Sequence, residues 1–164
     1  MTDRIVELSN TGWIAKHRQQ YMADGKAGHD WDSTVSGGPG PLPTLLLFTM
    51  GSKSGKESIM PLLYQEVAGG YVVIASRGGH ARHPGWYHNL LANSDVGVRV
   101  TDDSFRATAR TTTGAERTAI WDSMAAMYPP FADYKIAAAP REIPVVVLER
   151  RQAPPQPPPG GGRQ

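Results

Sequence analysis

Basic side chains alternate with glycine at two places in this sequence, and a cation beside bendable backbone suits an anion. Gly51-Ser52-Lys53-Ser54-Gly55-Lys56 sets two ammonium groups beside glycines that reach positive φ, so that successive N–H groups can converge on a negative group. Ser76-Arg77-Gly78-Gly79 is a second such turn. Its glycines permit close backbone approach to a planar ring, and the Arg77 guanidinium can pair with an anionic tail. Each turn also has a plain structural reading: a solvated hairpin turn for the first, a strand exit for the second. Together they suggest a ligand with a phosphate or carboxylate tail and an apolar, ring-like body.

Aromatic rings gather near both. Trp86, Tyr87 and Asn89 crowd one short segment, and Tyr128, Phe131 and Tyr134 are spaced three apart beside Pro129-Pro130. Such rings either line an apolar slot for a ligand or pack a core. Other chemistries fit less well. The first turn is not a phosphate-binding P-loop, because three rather than four residues separate Gly51 from Gly55, and Lys56 is followed by Glu57. His80, His83 and His88 lack a nearby carboxylate and the helical spacing of a catalytic zinc pair, so no metal centre is expected. No nucleophile elbow is visible.

The elements that must position these residues are mostly strands. Strands are expected at 44–50, 58–67 and 71–76, with Ala68-Gly69-Gly70 as a hairpin turn. A helix opens at Pro84-Gly85 and runs through Leu91. Two more strands, 96–100 and 105–111, are joined by Thr101-Asp102-Asp103-Ser104. Thr113 and Glu116 have the spacing of a capping box, and Ile120, Met124, Met127 and Tyr128 form a helical core stripe behind it. A second helical piece covers 132–138, and a buried strand covers 143–148. Residues 7–24 read as a helix, and the Gly/Pro-rich segment 25–43 as a linker or ordered loop. The expected organisation is a leading segment 1–43, a core domain 44–150 and a disordered Pro/Gly tail 151–164. The fold class is α+β: a split β-barrel, mostly antiparallel, with flanking helices.

Composition narrows the function. The chain has 164 residues, enough for one core, with 40% hydrophobic and 20% charged residues and a formal net charge of +2. That balance argues against a nucleic-acid partner. The lack of cysteine excludes disulfides, thiolate metal sites and a thiol nucleophile. No apolar run reaches membrane-spanning length, and the N-terminus carries acids without an apolar signal core, so a cytoplasmic location is expected.

Four segments in order, 43–64, 71–100, 106–134 and 141–149, together resemble the deazaflavin-dependent nitroreductase family of actinobacterial split-barrel proteins. The resemblance implies an oxidoreductase using reduced coenzyme F-420, an 8-hydroxy-5-deazaflavin with a phospholactyl-polyglutamate tail. Hydride would pass from the deazaflavin to an electrophilic small molecule: a quinone, an enone or a nitroaromatic. By the family pattern, Ser52, Lys53 and Ser54 hold the phosphate. Ser58, Ile59, Met60, Pro61, Leu62 and Leu63 run beside the ring and linker. Ile74, Ala75, Ser76 and Arg77 contact ring and tail, and Gly85, Trp86, Tyr87, His88 and Asn89 close the other side. Leu63, Tyr128, Phe131 and Tyr134 border the substrate, with Ser76 and Tyr134 as catalytic hydrogen-bond donors. Relatives commonly carry Arg at the position of Ser52. Some nitroimidazole-reducing relatives carry Tyr at the positions of Leu63 and Phe131 and Arg at that of Ser58. The alternatives are an FMN- or haem-binding split-barrel protein, or a deazaflavin carrier without turnover. A lipid quinone as acceptor would add peripheral membrane contact; the oligomeric state is left open.

Overall fold

A computed structural model describes residues 12–151. Eight antiparallel strands form one curled sheet, and two strands on its opposite edges are consecutive in the chain. Helix α1 (Gly12–Ala23) leads into a single turn of helix, α2 (Gly25–His29), and the short strand β1 (Asp30–Asp32). A 3-10 turn (Ser33–Ser36) precedes the long strand β2 (Pro41–Met50). β3 (Glu57–Leu63), β4 (Gln65–Val67) and β5 (Gly70–Ile74) follow, then a second 3-10 turn (Arg77–Gly79) and helix α3 (Gly85–Ala92). The hairpin β6 (Asp95–Val100) and β7 (Asp103–Thr111) is followed by helices α4 (Gly114–Met127) and α5 (Pro130–Ala138), and β8 (Val145–Arg150) ends the described chain.

The strands run β1-β2-β6-β7-β8-β5-β4, with β3 also on β2. β3 and β4 therefore lie on opposite edges, yet only Tyr64 separates them. The expected single strand 58–67 is split there. Tyr64 is buried, its hydroxyl meets His29 Nε2 at 2.8 Å, and its ring packs edge-on against Tyr71. That corner curls the sheet into the split barrel.

The period-2 alternation of strands builds two cores on the two faces of one sheet. Val73, Ala75, Val146 and Leu148 point into the barrel with Leu45, Leu47, Val96 and Val98, and Trp86 and Leu90 of α3 plug it. Their neighbours Val72, Ile74, Val145 and Val147 point outward and are covered by Trp121, Met124, Tyr128 and Phe131 of the α4–α5 layer. The outer layer thus places Tyr128, Phe131 and Tyr134 against the exit of β5.

Two local expectations are corrected. Segment 25–43, expected as a linker or ordered loop, is largely regular structure: it holds α2, β1, a 3-10 turn and the start of β2. Asp24 caps α2 through the Lys26 and Ala27 N–H groups, and Asp32 accepts from Thr34 N–H at 3.1 Å. Tyr21 is fully buried, bonded to the Thr44 carbonyl at 2.9 Å, and α2 packs so closely on it that a Cβ at Gly28 would lie 2.4 Å from the Tyr21 Cα. Pro41 and Pro43 are accepted in β2 because that end pairs only with the three-residue β1. The capping box is also absent. Thr113 sits at the helix N-cap without a side-chain bond, and the Glu116 carboxylate, instead of reaching back, is drawn into a bidentate pair with Arg110 at 2.8 Å. The N-terminal end of the expected helix 7–24 and the Pro/Gly tail lie outside the described residues.

Candidate active site

A cleft of about 450 Å³ opens where β3, the end of β5, the N-terminal elements and α5 converge. Met60, Pro61, Leu62 and Leu63 form one wall, and Ile74, Ser76 and Arg77 lie at the β5 exit. Trp86 and the ring cluster Tyr128, Phe131 and Tyr134 complete it. Eleven of the site residues that the family resemblance implied therefore share one cavity: Met60, Pro61, Leu62, Leu63, Ile74, Ser76, Arg77, Trp86, Tyr128, Phe131 and Tyr134.

At the β5 exit the backbone turns left-handed. Arg77, Gly78 and Gly79 have φ of 48°, 61° and 82° in succession. Glycine is required at Gly79 twice over, since a Cβ there would also lie 2.9 Å from the Tyr134 Cα. That close packing sets α5, and so Tyr134, against the basic turn. At Gly78 a Cβ would meet nothing within 4 Å, so the turn is open on that side. Ser76 is 9% exposed, and its hydroxyl has no hydrogen-bond partner among the described residues.

A chain of hydroxyls starts from the same helix, α5. The Tyr134 and Tyr128 phenols are 2.8 Å apart, and Tyr128 in turn is 2.5 Å from Ser36 Oγ. Burial, then the hydrogen bond with Tyr128, pushes the Tyr134 phenol above the usual tyrosine range. Like any tyrosine it is protonated at neutral pH and can donate, and burial only widens that margin. Phe131 packs edge-on against Tyr128 at 4.9 Å between ring centroids.

Some sequence-selected residues lie away from the cleft wall. Ala75 and Tyr87 belong to the barrel interior. Ser52, Lys53, Ser54, Ser58, Ile59, Gly85, His88 and Asn89 do not line the cavity. Asn89 instead clamps the first basic turn to α3: its Oδ1 accepts from Ser52 N–H and its Nδ2 donates to Thr49 Oγ1, both at 3.0 Å. Arg77 donates to the His83 carbonyl at 3.3 Å, just ahead of the same helix. Both basic turns are thus tied to α3, whose Trp86 lines the cleft. The first turn is less open than its glycines suggest. The N–H groups of Gly51, Ser52, Gly55 and Lys56 already bond Lys56 O, Asn89 Oδ1, Gly51 O and Ser54 Oγ. Lys53 and Ser54 are left to present donors outward.

Two of the three histidines accept from nitrogen donors. His83 Nδ1 accepts from Arg141 and His80 Nδ1 from the Arg82 N–H. Burial first, then Arg141, lowers the His83 pKa and favours its neutral, accepting form.

Sequence reasoning missed His17, Trp31 and Ser36, which line the cleft from the N-terminal elements, and Arg141 beside it. Their polar start signals were present at Asp24 and Asp32, but a Gly/Pro-rich composition hid them.

The profile of the F-420H(2)-dependent quinone reductase family matches residues 14–150. The chain belongs to that family. Its cofactor is therefore coenzyme F-420. An F-420H(2)-dependent quinone reductase of Mycobacterium tuberculosis is 44% identical over 72 residues, 44% of this chain and 48% of that protein. The chain thus spans about half the length of that curated relative. A solved F-420H(2)-dependent reductase, FDR-A, is 41% identical with a TM-score of 0.60, covering 65% of this chain and 94% of that one. The haem storage protein HutZ of Vibrio cholerae shares the fold at 15% identity and a TM-score of 0.52, covering 67% and 82%.

The cleft of this family member suits a deazaflavin by its own features. The wall from Met60 to Leu63 is apolar, as a flat ring requires. The glycine turn is open where Gly78 lacks a Cβ, and cationic groups flank α3, as a polyanionic tail requires. Among the described residues no helix is long and apolar enough to cross a membrane.

Proposed function

We propose that this protein reduces a quinone-type acceptor with hydride from reduced F-420. The observation that carries this reading is the cleft's mixed lining: a cation and an open backbone turn at the β5 exit, three linked hydroxyls running from Tyr134, which packs on that turn, and apolar walls around them. When bound, reduced F-420 supplies the hydride.

The chain supplies the rest. Arg77, with Lys53 and Ser54 from the first turn, binds the anionic tail. Met60, Pro61, Leu62 and Trp86 bury the ring and exclude water, at about 25 cal/mol per Å² of apolar area removed from water. Leu63, Phe131 and Tyr128 bound the acceptor. Tyr134, a protonated phenol at neutral pH, donates to the acceptor's carbonyl oxygen, where negative charge develops as hydride arrives. Its proton can be replaced along the Tyr128–Ser36 hydroxyls. Ser76 offers a second donor at the glycine turn. Positioning, water exclusion and a neutral donor are what a protein contributes when its cofactor carries the redox step.

A quinone is favoured over a bicyclic nitroimidazole because Leu63 and Phe131 stand where phenols would orient a nitro group. Anaerobic assays with reduced F-420 and a panel of naphthoquinones, enones and nitroimidazoles test this. Oxidation with quinones and little with nitroimidazoles is expected. Efficient nitroimidazole reduction with inert quinones overturns the acceptor assignment.

A further inference from the structure

The Arg77-Gly78-Gly79 turn has no sheet to hold it. Ladder pairing of β5 ends at Ile74, opposite Val145. Besides Arg77, Thr101 is the one non-glycine residue with positive φ among the described residues. Thr101 sits in a hairpin closed by the Val100–Asp103 pair, which fixes its backbone from both sides. Arg77 has no such frame, and a bulky residue in the left-handed region persists only where its surroundings over-determine it.

Those surroundings are supplied by Arg141. Its Nη1 donates to the Ala75 carbonyl at 3.1 Å, Nη2 to the Ser76 carbonyl at 2.7 Å and Nε to the His80 carbonyl at 2.9 Å. Nη1 also meets His83 Nδ1 at 2.9 Å. Two of the carbonyls precede the left-handed residues and one follows them, so a single planar guanidinium brackets the turn. Within it the backbone contributes two bonds, Gly79 N–H to Ser76 O and His80 N–H to Arg77 O. None of the bonded partners of Arg141 is a carboxylate, so its positive charge is not cancelled beside the turn. Burial first, then Arg77, accordingly depresses the Arg141 pKa.

We propose that Arg141 is a positioning residue: bonded to carbonyls on both sides of the left-handed turn, it holds that turn in the shape that receives the anionic end of the cofactor. This rests on the cofactor reading above. Only a planar fork with several fixed donors can serve carbonyls on both sides at once, so lysine is a poor substitute.

The test compares wild type, Arg141→Lys and Arg141→Ala. Amide hydrogen exchange is read across 75–80 without cofactor, and F-420 affinity is read by fluorescence. Exchange should accelerate within that segment alone, and F-420 affinity should fall on the order of tenfold or more, with KM for the quinone unchanged. Added guanidinium should restore part of the loss in Arg141→Ala and none in Arg141→Lys. If Arg141→Ala does not fold, Arg141→Lys decides by the same two readings. Wild-type exchange and affinity in the folded variants overturns the proposal. So does acceleration spread evenly over the chain with a matching fall in Tm, which marks a general stabiliser. If wild type itself fails to bind F-420, the cofactor reading falls, while local exchange still decides whether Arg141 shapes the turn.

Discussion

Tyr134 concentrates the residue-level account, since it touches both the glycine turn and the hydroxyl chain. Tyr134→Phe keeps the ring and removes the donor. The turnover number with a quinone should fall about ten- to a hundredfold while F-420 affinity stays at wild type. Parallel loss of cofactor affinity in a fluorescence titration would show that the phenol serves the cofactor instead. Phe131 is a harder position to alter. It is 4% exposed and hemmed by Trp121, Tyr128 and Tyr134, so Phe131→Tyr gains a nitro-orienting phenol only if its hydroxyl turns into the cleft. His17 governs acid stability. Burial lowers its pKa below 6.5, partly offset by its bond to the Gly28 carbonyl at 2.8 Å. The unfolded chain then binds more protons once pH drops below about 6.5, so stability is present above that pH and is lost as pH falls through it. In denaturant melts, wild type should lose stability between neutral and mildly acidic pH, and His17→Gln should lose less. Equal slopes would remove His17 from the explanation.

Asn89 and the two lysines bring the account to the level of elements. Asn89→Ala deletes both bonds that tie the first basic turn to α3 and β2. The loss is about 1–3 kcal/mol, or a Tm fall of roughly 2–10 °C in a chain of this size. F-420 affinity should fall with it, and a lowered Tm with unchanged affinity would separate the turn from the cofactor. Lys53→Ala should weaken F-420 binding more than Lys56→Ala, because Lys56 is tied by its backbone N–H and carbonyl into the turn's own closure. Similar affinities for both variants and wild type would make the turn a solvated connection. Strands were legible wherever apolar runs ended in turn residues, as at β2, β5 and the β6–β7 hairpin. The Tyr64 corner was not, because a change of sheet edge leaves no mark on the apolar pattern. The N-terminal wall was hidden for a related reason: α2 and β1 depend on Tyr21 and Thr44, which are distant in sequence. Glu116 was misread because Arg110, six residues away, competes for it. The rings at 128–134 were legible as a cluster, but only the packing of α5 on Gly79 relates them to the basic turn.

Across the whole molecule, a net charge of +2 leaves no strong global field. On the proposed reading, recognition of a polyanionic cofactor then comes from cations placed locally, at Arg77 and the Lys53 turn, with Arg141 shaping the former. FMN offers a comparable flat ring and a phosphate but lacks the polyglutamate tail, so it forgoes part of that cationic surface. The cleft should therefore separate the two ligands by their tails and not by their rings, and raising salt should erode the preference. The most direct test is a fluorescence titration of the full chain with F-420 and with FMN under the same buffer and salt. F-420 should bind more tightly, with the margin narrowing as salt rises; equal or tighter binding of FMN would contradict the assignment.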